Sequence, residues 1–348
     1  MQRNKTVLST EKITTVGIDL AKNVFQVHGL NEKGETVLRK QLKRGKVKEF
    51  MVNLPACLIG MEACGSAHYW ARVCKKYGHE VRLMSPQYVK PYVKTNKNDT
   101  ADAEAIAEAV GRANMRFVPV KEVWQEDIQM THRIRERLIH NRTALTNQIR
   151  GLLQEYGIVI AEGIWKLKRE LPIILEDGEN ELTHQSRRVF RELWGELKVL
   201  EQEIEKYKEE IENIYRASSV CQRLGKVEGV GPITATALVA AVGDARVFKN
   251  GRQMSAWLGL VPRQNSSGGK ERLLGISKRG NRYIRTLLIH GARSVVATAR
   301  HKKDVRSHWI VQKEKTRGFN KACVALANKN ARILWALMAY QTEYKKAA

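Results

Sequence analysis

Short stretches rich in Val, Ile, Thr and Leu fill the first third of the chain, and apolar residues at three- and four-residue steps fill most of the rest. The first pattern predicts strands, the second amphipathic helices. Ile13 to Ile18, VFQVHGL from Val24 and GETVLRKQL from Gly34 read as three strands with short turns, an antiparallel meander. A short helix over Lys46–Asn53 follows, then a strand over Ala56–Met61 with Glu62 at its end. ACGSAHYWARVCKKYG carries helical spacing through Trp70, Val73 and Tyr77 and stops at Gly78. Glu80–Met84 reads as a further strand, and Pro86 opens a short helix that Pro91 ends. An Ala-rich helix begins around Asp99 and Asp102, and Arg116–Val120 closes an α/β domain as its last strand.

From about Glu122 the period changes. Ile134, Leu138, Leu145, Ile149, Leu152 and Tyr156 mark a long amphipathic helix with a basic outer face. Gly157 to His184 is mixed, with Pro172 and Gly178 breaking the periodicity. Gln185–Tyr215 then carries Leu193, Leu197, Leu200, Ile204, Tyr207, Ile211 and Ile214, alternating by four and three, the seam of a coiled coil that pairs within the chain or with another copy. Further on, Gly229 and Gly231 sit in a turn before Pro232. That spacing fits either a helix-hairpin-helix, whose backbone N–H groups approach a phosphate, or an ordinary turn between helices. A helix from Asn281 keeps Ile284, Leu287, Leu288 and Val295 for the core and leaves Arg282, Arg285 and Arg293 for phosphate. The expected division is 1–121, 122–217 and 218–348, the last part mostly helical.

Charge narrows the partner. The 348 residues carry a net charge of +25, distributed along the chain rather than held in a tail, and 43% are apolar, as in a folded protein. Residues 263–306 alone hold twelve Lys/Arg against two acids. Such an excess favours a polyanion, because each cation near a phosphate releases condensed counterions. The five cysteines form no CxxC and no zinc spacing with histidine, which points to reduced, mostly buried thiols in the cytoplasm. The opening MQRNKTVLSTEK lacks the apolar core of a leader, and no apolar run reaches membrane-spanning length.

Four acids stand out against that background. Asp19 and Glu62 fall at strand ends, and Asp99 and Asp102 share a helix face three residues apart. Singly, each has an ordinary explanation as a turn, edge or first-turn acid. Gathered together they would repel one another without a divalent cation, and hard oxygen donors suit Mg²⁺ or Mn²⁺. In the basic region, NSSGGK (Asn265 to Lys270) between Arg263 and Arg272 is either a flexible loop or one that presents a hydroxyl to a phosphate.

GIDLAK, GMEACGS and KNDTADA resemble the RuvC-like (RNase H-like), DEDD-type domain of the IS-one-ten family of bacterial insertion-sequence transposases. AWLGLVPRQNSSGGKERLLGISKRGNRYIR resembles that family's C-terminal domain. The resemblance implies a recombinase acting on donor and target DNA and directed by a bridge RNA. Its acids Asp19, Glu62, Asp99 and Asp102 would hold metal, and a serine would become covalently joined to DNA. The match places that role on Ser267, with Ser266 adjacent. It further implies an oligomer, a dimer or tetramer in which one subunit's acids act with another's serine, working at the bacterial nucleoid. Gly229, Gly231, Arg263, Lys270, Arg272, Lys278, Arg279, Arg282 and Arg285 are the expected nucleic-acid contacts. Two rivals remain: a metal-dependent, structure-specific nuclease in which water attacks, and a non-catalytic nucleic-acid scaffold.

Overall fold

The computed structural model describes residues 12–94 and 98–345; the N-terminal stretch read for a leader and Lys97 of KNDTADA lie outside them. The chain separates into two compact units, Met1–Val123 and Trp124–Ala348.

The first unit runs β1 (Thr15–Leu20), β2 (Val24–Leu30), β3 (Thr36–Lys43), α1 (Val47–Asn53), β4 (Leu58–Glu62), α2 (Ala67–Lys76), β5 (Glu80–Met84), α3 (Pro86–Val89), α4 (Asp99–Val110) and β6 (Phe117–Val118). The sheet order is β3-β2-β1-β4-β5-β6. The first three strands form the expected antiparallel meander, β4 and β5 run parallel to β1, and β6 returns antiparallel. β1 continues past the expected end, because Asp19 and Leu20 still pair with Gln26 and Phe25. Strand side chains alternate between faces. Val16 and Ile18 enter a core with Phe25, Met51, Trp70 and Cys74. Gly17 and Asp19 therefore face the other side, where α4 lies.

α4 rests close on that face because Gly17 and Gly60 offer it no side chains where it crosses β1 and β4. A Cβ on Gly17 would collide with the backbone of Ala103 and Ala107, and one on the paired Gly60 would collide with Val110. The alanines of α4 and the two glycines are complementary, so helix and sheet approach closely.

The second unit is helical apart from one hairpin. It contains α5 (Val123–Gln154), α6 (Ile164–Glu176), α7 (His184–Ala217), α8 (Ser219–Gly225), α9 (Pro232–Val242), α10 (Gly251–Trp257), β7 (Pro262–Gln264), β8 (Leu273–Ile276), α11 (Arg282–Thr298), α12 (Val305–Arg317) and α13 (Phe319–Ala339). One apolar core joins α5, α6 and α7 through Leu145, Ile149, Leu167, Leu171 and Leu197. A larger one joins the helices from α8 onward. Along α7, Phe190, Leu197, Ile204 and Ile211 are buried at seven-residue steps, and Leu193, Leu200, Tyr207 and Ile214 are half-buried.

Two expectations fail here. Pro172, expected to break the periodicity, lies inside α6, which runs through it. The missing N–H and the ring clash cost about 3 kcal/mol, whereas burying Leu167, Leu171 and Leu175 contributes about 1.5–3 kcal/mol each. On α5, Leu153 takes the buried place and Leu152 is exposed. The two are adjacent, and Leu153, four residues after buried Ile149, is the one that packs with Leu167 and Leu171.

Buried polar groups tie α5 to the larger core. His132 Nδ1 lies 3.0 Å from the Tyr283 hydroxyl and Nε2 lies 3.0 Å from Thr236 Oγ1. Burial, aided by Arg135, pushes the imidazole down to about 4. The unfolded chain therefore takes up this proton first as pH falls. The free energy of unfolding should drop as pH falls below 6.5, with the loss saturating near 4 at about 3 kcal/mol. Urea titrations across that window should show a shallower pH dependence for His132→Gln than for wild type. Equal slopes would mean that the imidazole titrates normally.

Among the described residues no helix is long and apolar enough to cross a membrane. None of the five cysteines is in a disulfide; Cys64 is exposed and the other four are buried.

Candidate metal centre and nucleic-acid interface

The close seat of α4 decides the geometry of the acids. Asn98 caps the helix, its side chain accepting the Ala101 N–H at 2.8 Å, so neither Asp99 nor Asp102 is needed as the cap. Both carboxylates lie in the first helical turn, over the C-terminal end of β1. Asp19, Asp99 and Asp102 each offer an oxygen within 4.8 Å of the others. Asp19 and Asp102 are half-buried and Asp99 is exposed. Three hard donors at this spacing, open on one side, fit a divalent ion with room for water or a phosphate oxygen. Glu62 does not join this group of three. It ends β4, the strand parallel to β1, where Ile18 pairs with Met61. Partial desolvation of its sulfur and the nearby Glu62 and Asp19 carboxylates push the Cys64 thiol upward, so both acids bear on the same end of the sheet.

The serine loop is a β-hairpin that sequence reading took for a loop alone. β7 and β8 pair antiparallel, and Ser267 and Lys270 bridge its tip. Gly268 and Gly269 have φ of +56° and +75°. Two successive left-handed residues make the tight turn whose twist matches that of the strands, and Gly-Gly is the pair that adopts it without strain. Ser266 Oγ accepts from the Arg272 N–H at 3.2 Å and from the Gln264 side-chain amide at 3.1 Å. Its hydroxyl is part of the hairpin. Ser267 is exposed one residue further, and among the described residues its hydroxyl makes no hydrogen bond.

Arg263, Lys270, Arg272, Lys278, Arg279 and Arg282 are exposed around this hairpin and the start of α11, and none takes part in an ion pair among the described residues. The first turn of α11 carries no acid. Cations at a helix N-terminus oppose the helix dipole, so Arg282 gains nothing from its own helix.

Arg285 departs from expectation. It is buried, and its Nη1 donates to the Leu258 carbonyl at 2.9 Å and the Arg279 carbonyl at 3.2 Å. Burial pushes its pKa downward. It is a strut under the SKRGN segment and not a free phosphate ligand. Arg285→Ala should lower the free energy of unfolding by about 2 kcal/mol, because the buried Leu258 carbonyl and the part-buried Arg279 carbonyl lose their donor. Exposed Arg282→Ala should stay within about 0.5 kcal/mol of wild type. Denaturant melts of both variants check the contrast. Gly229 also has a packing role. Its φ is +85° and it meets the backbone of Gly291 on α11, which leaves no room for a Cβ. Gly231 is exposed at the start of α9 and open to solvent.

Gly17 and Gly60 were missed as site residues. The available signal was a glycine inside each strand pattern, a mark of close backbone approach.

Comparison with known proteins gives the family. Residues 16–158 match the family model described as a DEDD-type transposase, and residues 221–309 match the one described as "Transposase IS116/IS110/IS902 family". The chain is 51% identical over 334 residues to a probable family 20 transposase of Pseudomonas aeruginosa, covering 96% of this chain and 99% of that protein. It is 48% identical to a transposase for an insertion sequence element of Coxiella burnetii, covering 98% and 93%. It is 40% identical to a putative transposase of Sinorhizobium fredii, covering 97% and 87%. A sheet of RNase H-like order carrying clustered acids, a basic helical second unit, and relatives matched over nearly their whole length together place this chain in the IS116/IS110/IS902 family of transposases.

Proposed function

We propose that this transposase is a bridge-RNA-guided recombinase in which Ser267 attacks a DNA phosphate and becomes covalently joined to it. The observation that carries this reading is the hairpin: Ser267 stands at the tip of a Gly-Gly turn, its hydroxyl unengaged, among exposed cations without ion pairs. As the Oγ–P bond forms, the serine proton leaves, and the departing sugar oxygen gains a proton as its bond to phosphorus breaks. The phosphodiester is thus exchanged for a phosphoserine of similar energy, and a second DNA hydroxyl can reverse the step on a new strand. Arg263, Lys270 and Arg272 would offset charge on the phosphate during attack.

Asp19, Asp99 and Asp102, with Glu62 at the adjacent strand end, would hold Mg²⁺ or Mn²⁺. A bound divalent ion supplies Lewis-acid stabilisation of a phosphate oxygen. The acids' own part is to fix its place, which the rigid seat of α4 on β1 supports. The net charge of +25 accords with simultaneous binding of DNA and a guide RNA. Oligomerisation through the half-buried side of α7 belongs to the same proposal.

The test is a denaturing gel of full-length protein, co-purifying RNA, Mg²⁺ and labelled element-junction DNA, followed by mass spectrometry of the adduct. A protein–DNA band that maps to a phosphoserine at Ser267 and disappears in Asp102→Asn is expected. Cleaved DNA with no adduct would replace this reading with the hydrolytic nuclease.

A further inference from the structure

A groove of about 1010 Å³ lies in the second unit between α10, the base of the β7–β8 hairpin, α12 and α13. Its floor is apolar, with Leu260, Pro262, Ile276, Val324 and Ile333 among the lining residues. Its charged lining is wholly cationic: Arg252, Lys321, Lys329 and Arg332, with no acid. None of these four takes part in an ion pair among the described residues. The Lys329 ammonium sits 4.5 Å from the centroid of the Trp309 ring, which also lines the groove. The walls are held from behind. Asn328 donates to Ser255 Oγ and the Leu260 carbonyl, and Trp335 donates its indole N–H to the Ala245 carbonyl.

Four cations without counter-ions and a rim without acids favour a polyanion over a protein surface of mixed charge. A duplex would satisfy the cations but not the floor, since its bases are sealed in the stack. An unpaired strand offers both phosphates and base faces, the combination that aromatic and cationic channels bind. Pro262 begins β7 and Ile276 ends β8, so the groove opens at the root of the hairpin that carries Ser267. At strand rise, root and tip are on the order of 15 Å apart.

We propose that this groove binds an unpaired stretch of the DNA substrate, with bases against Trp309 and phosphates on Lys321, Lys329 and Arg332. DNA is chosen over RNA because the groove adjoins the hairpin and the family acts on DNA. The proposal does not depend on Ser267 being the nucleophile. It gives α12 and α13 a task that charge and helical pattern alone did not assign.

The experiment uses full-length protein and fluorescent oligothymidylate of about twelve nucleotides, beside a duplex and an oligouridylate of the same length. Trp309→Ala should weaken single-strand binding about tenfold, the loss of one stacked base, and leave duplex binding within about twofold. Trp309→Phe should retain most of the affinity. A 5-iodouracil-substituted DNA strand should photocrosslink to Trp309 or its neighbours on α12 and α13. If Trp309→Ala does not fold, the exposed pair Lys321→Glu and Arg332→Glu carries the test. That pair should cost more single-strand affinity than the equal reversal Lys303→Glu and Lys315→Glu outside the groove. Equal losses for single strand and duplex, or crosslinks elsewhere, would overturn the proposal. Oligouridylate bound more tightly in a Trp309-dependent way would also overturn it and make RNA the occupant.

Discussion

Ser267→Ala should abolish the covalent protein–DNA product, a loss of at least about a thousandfold as for removal of a nucleophile that acts with a preformed site. Ser266→Ala should leave it within about threefold. The contrast rests on what each hydroxyl does in the hairpin. Ser266 Oγ accepts from the Arg272 N–H and the Gln264 amide, so its removal costs the hairpin about 1 kcal/mol but leaves the tip in place. Ser267 is set at the tip by Gly268 and Gly269, and its hydroxyl has no such task. Labelled junction DNA quenched in denaturant reads both variants on one gel. Loss of the adduct in Ser266→Ala with retention in Ser267→Ala would exchange their roles. Undiminished cleavage by both would make water the attacking group.

Gly17→Val should reduce DNA strand transfer at least about a hundredfold while the protein still folds. Valine suits a strand, but here it meets helix backbone, so the cost lies at or above the usual about 1–3 kcal/mol of overpacking, and circular dichroism checks that the variant is folded. The branched side chain must nonetheless displace the backbone of Ala103 and Ala107 on α4. Asp99 and Asp102 sit on the first turn of that helix, so they move relative to Asp19, which stays on β1. A displacement of about 1 Å at reacting groups costs about a hundredfold. The independent readout is thermal stability in Mg²⁺ or Mn²⁺. Wild type should gain stability with either ion, because binding to the native state alone shifts the unfolding equilibrium. Gly17→Val should gain little, and Gly17→Ala should fall between them. A Gly17→Val protein stabilised by metal as fully as wild type would show that this close approach does not position the acids.

Much of the N-terminal sheet was legible because its information is local. Alternation and short apolar runs name the strands, and right-handed crossover rules leave few ways to order them. Asn98-Asp99 before an Ala-rich run marks a helix start equally well. The acids were therefore visible as residues of the right type at the ends of the right elements. The distances were not, since only the seat of α4 on the sheet brings Asp19, Asp99 and Asp102 within 4.8 Å of one another. That seat depends on Gly17 and Gly60, which show no chemistry of their own in the sequence.

Elsewhere the same division holds. Sequence by itself determined the strand and helix periods, the cationic excess and the family, because these are set by neighbours along the chain or by shared identity over its length. Only the tertiary structure decided that Arg285 is a buried strut, that Gly229 packs on Gly291, that Leu153 and not Leu152 faces the core, and that α6 passes through Pro172. Each of those outcomes balances a local preference against contacts from residues far away in sequence. A guanidinium next to three other cations looks like a phosphate ligand until the Leu258 carbonyl, 27 residues away, claims it. A proline looks like a helix end until three buried leucines outweigh its cost.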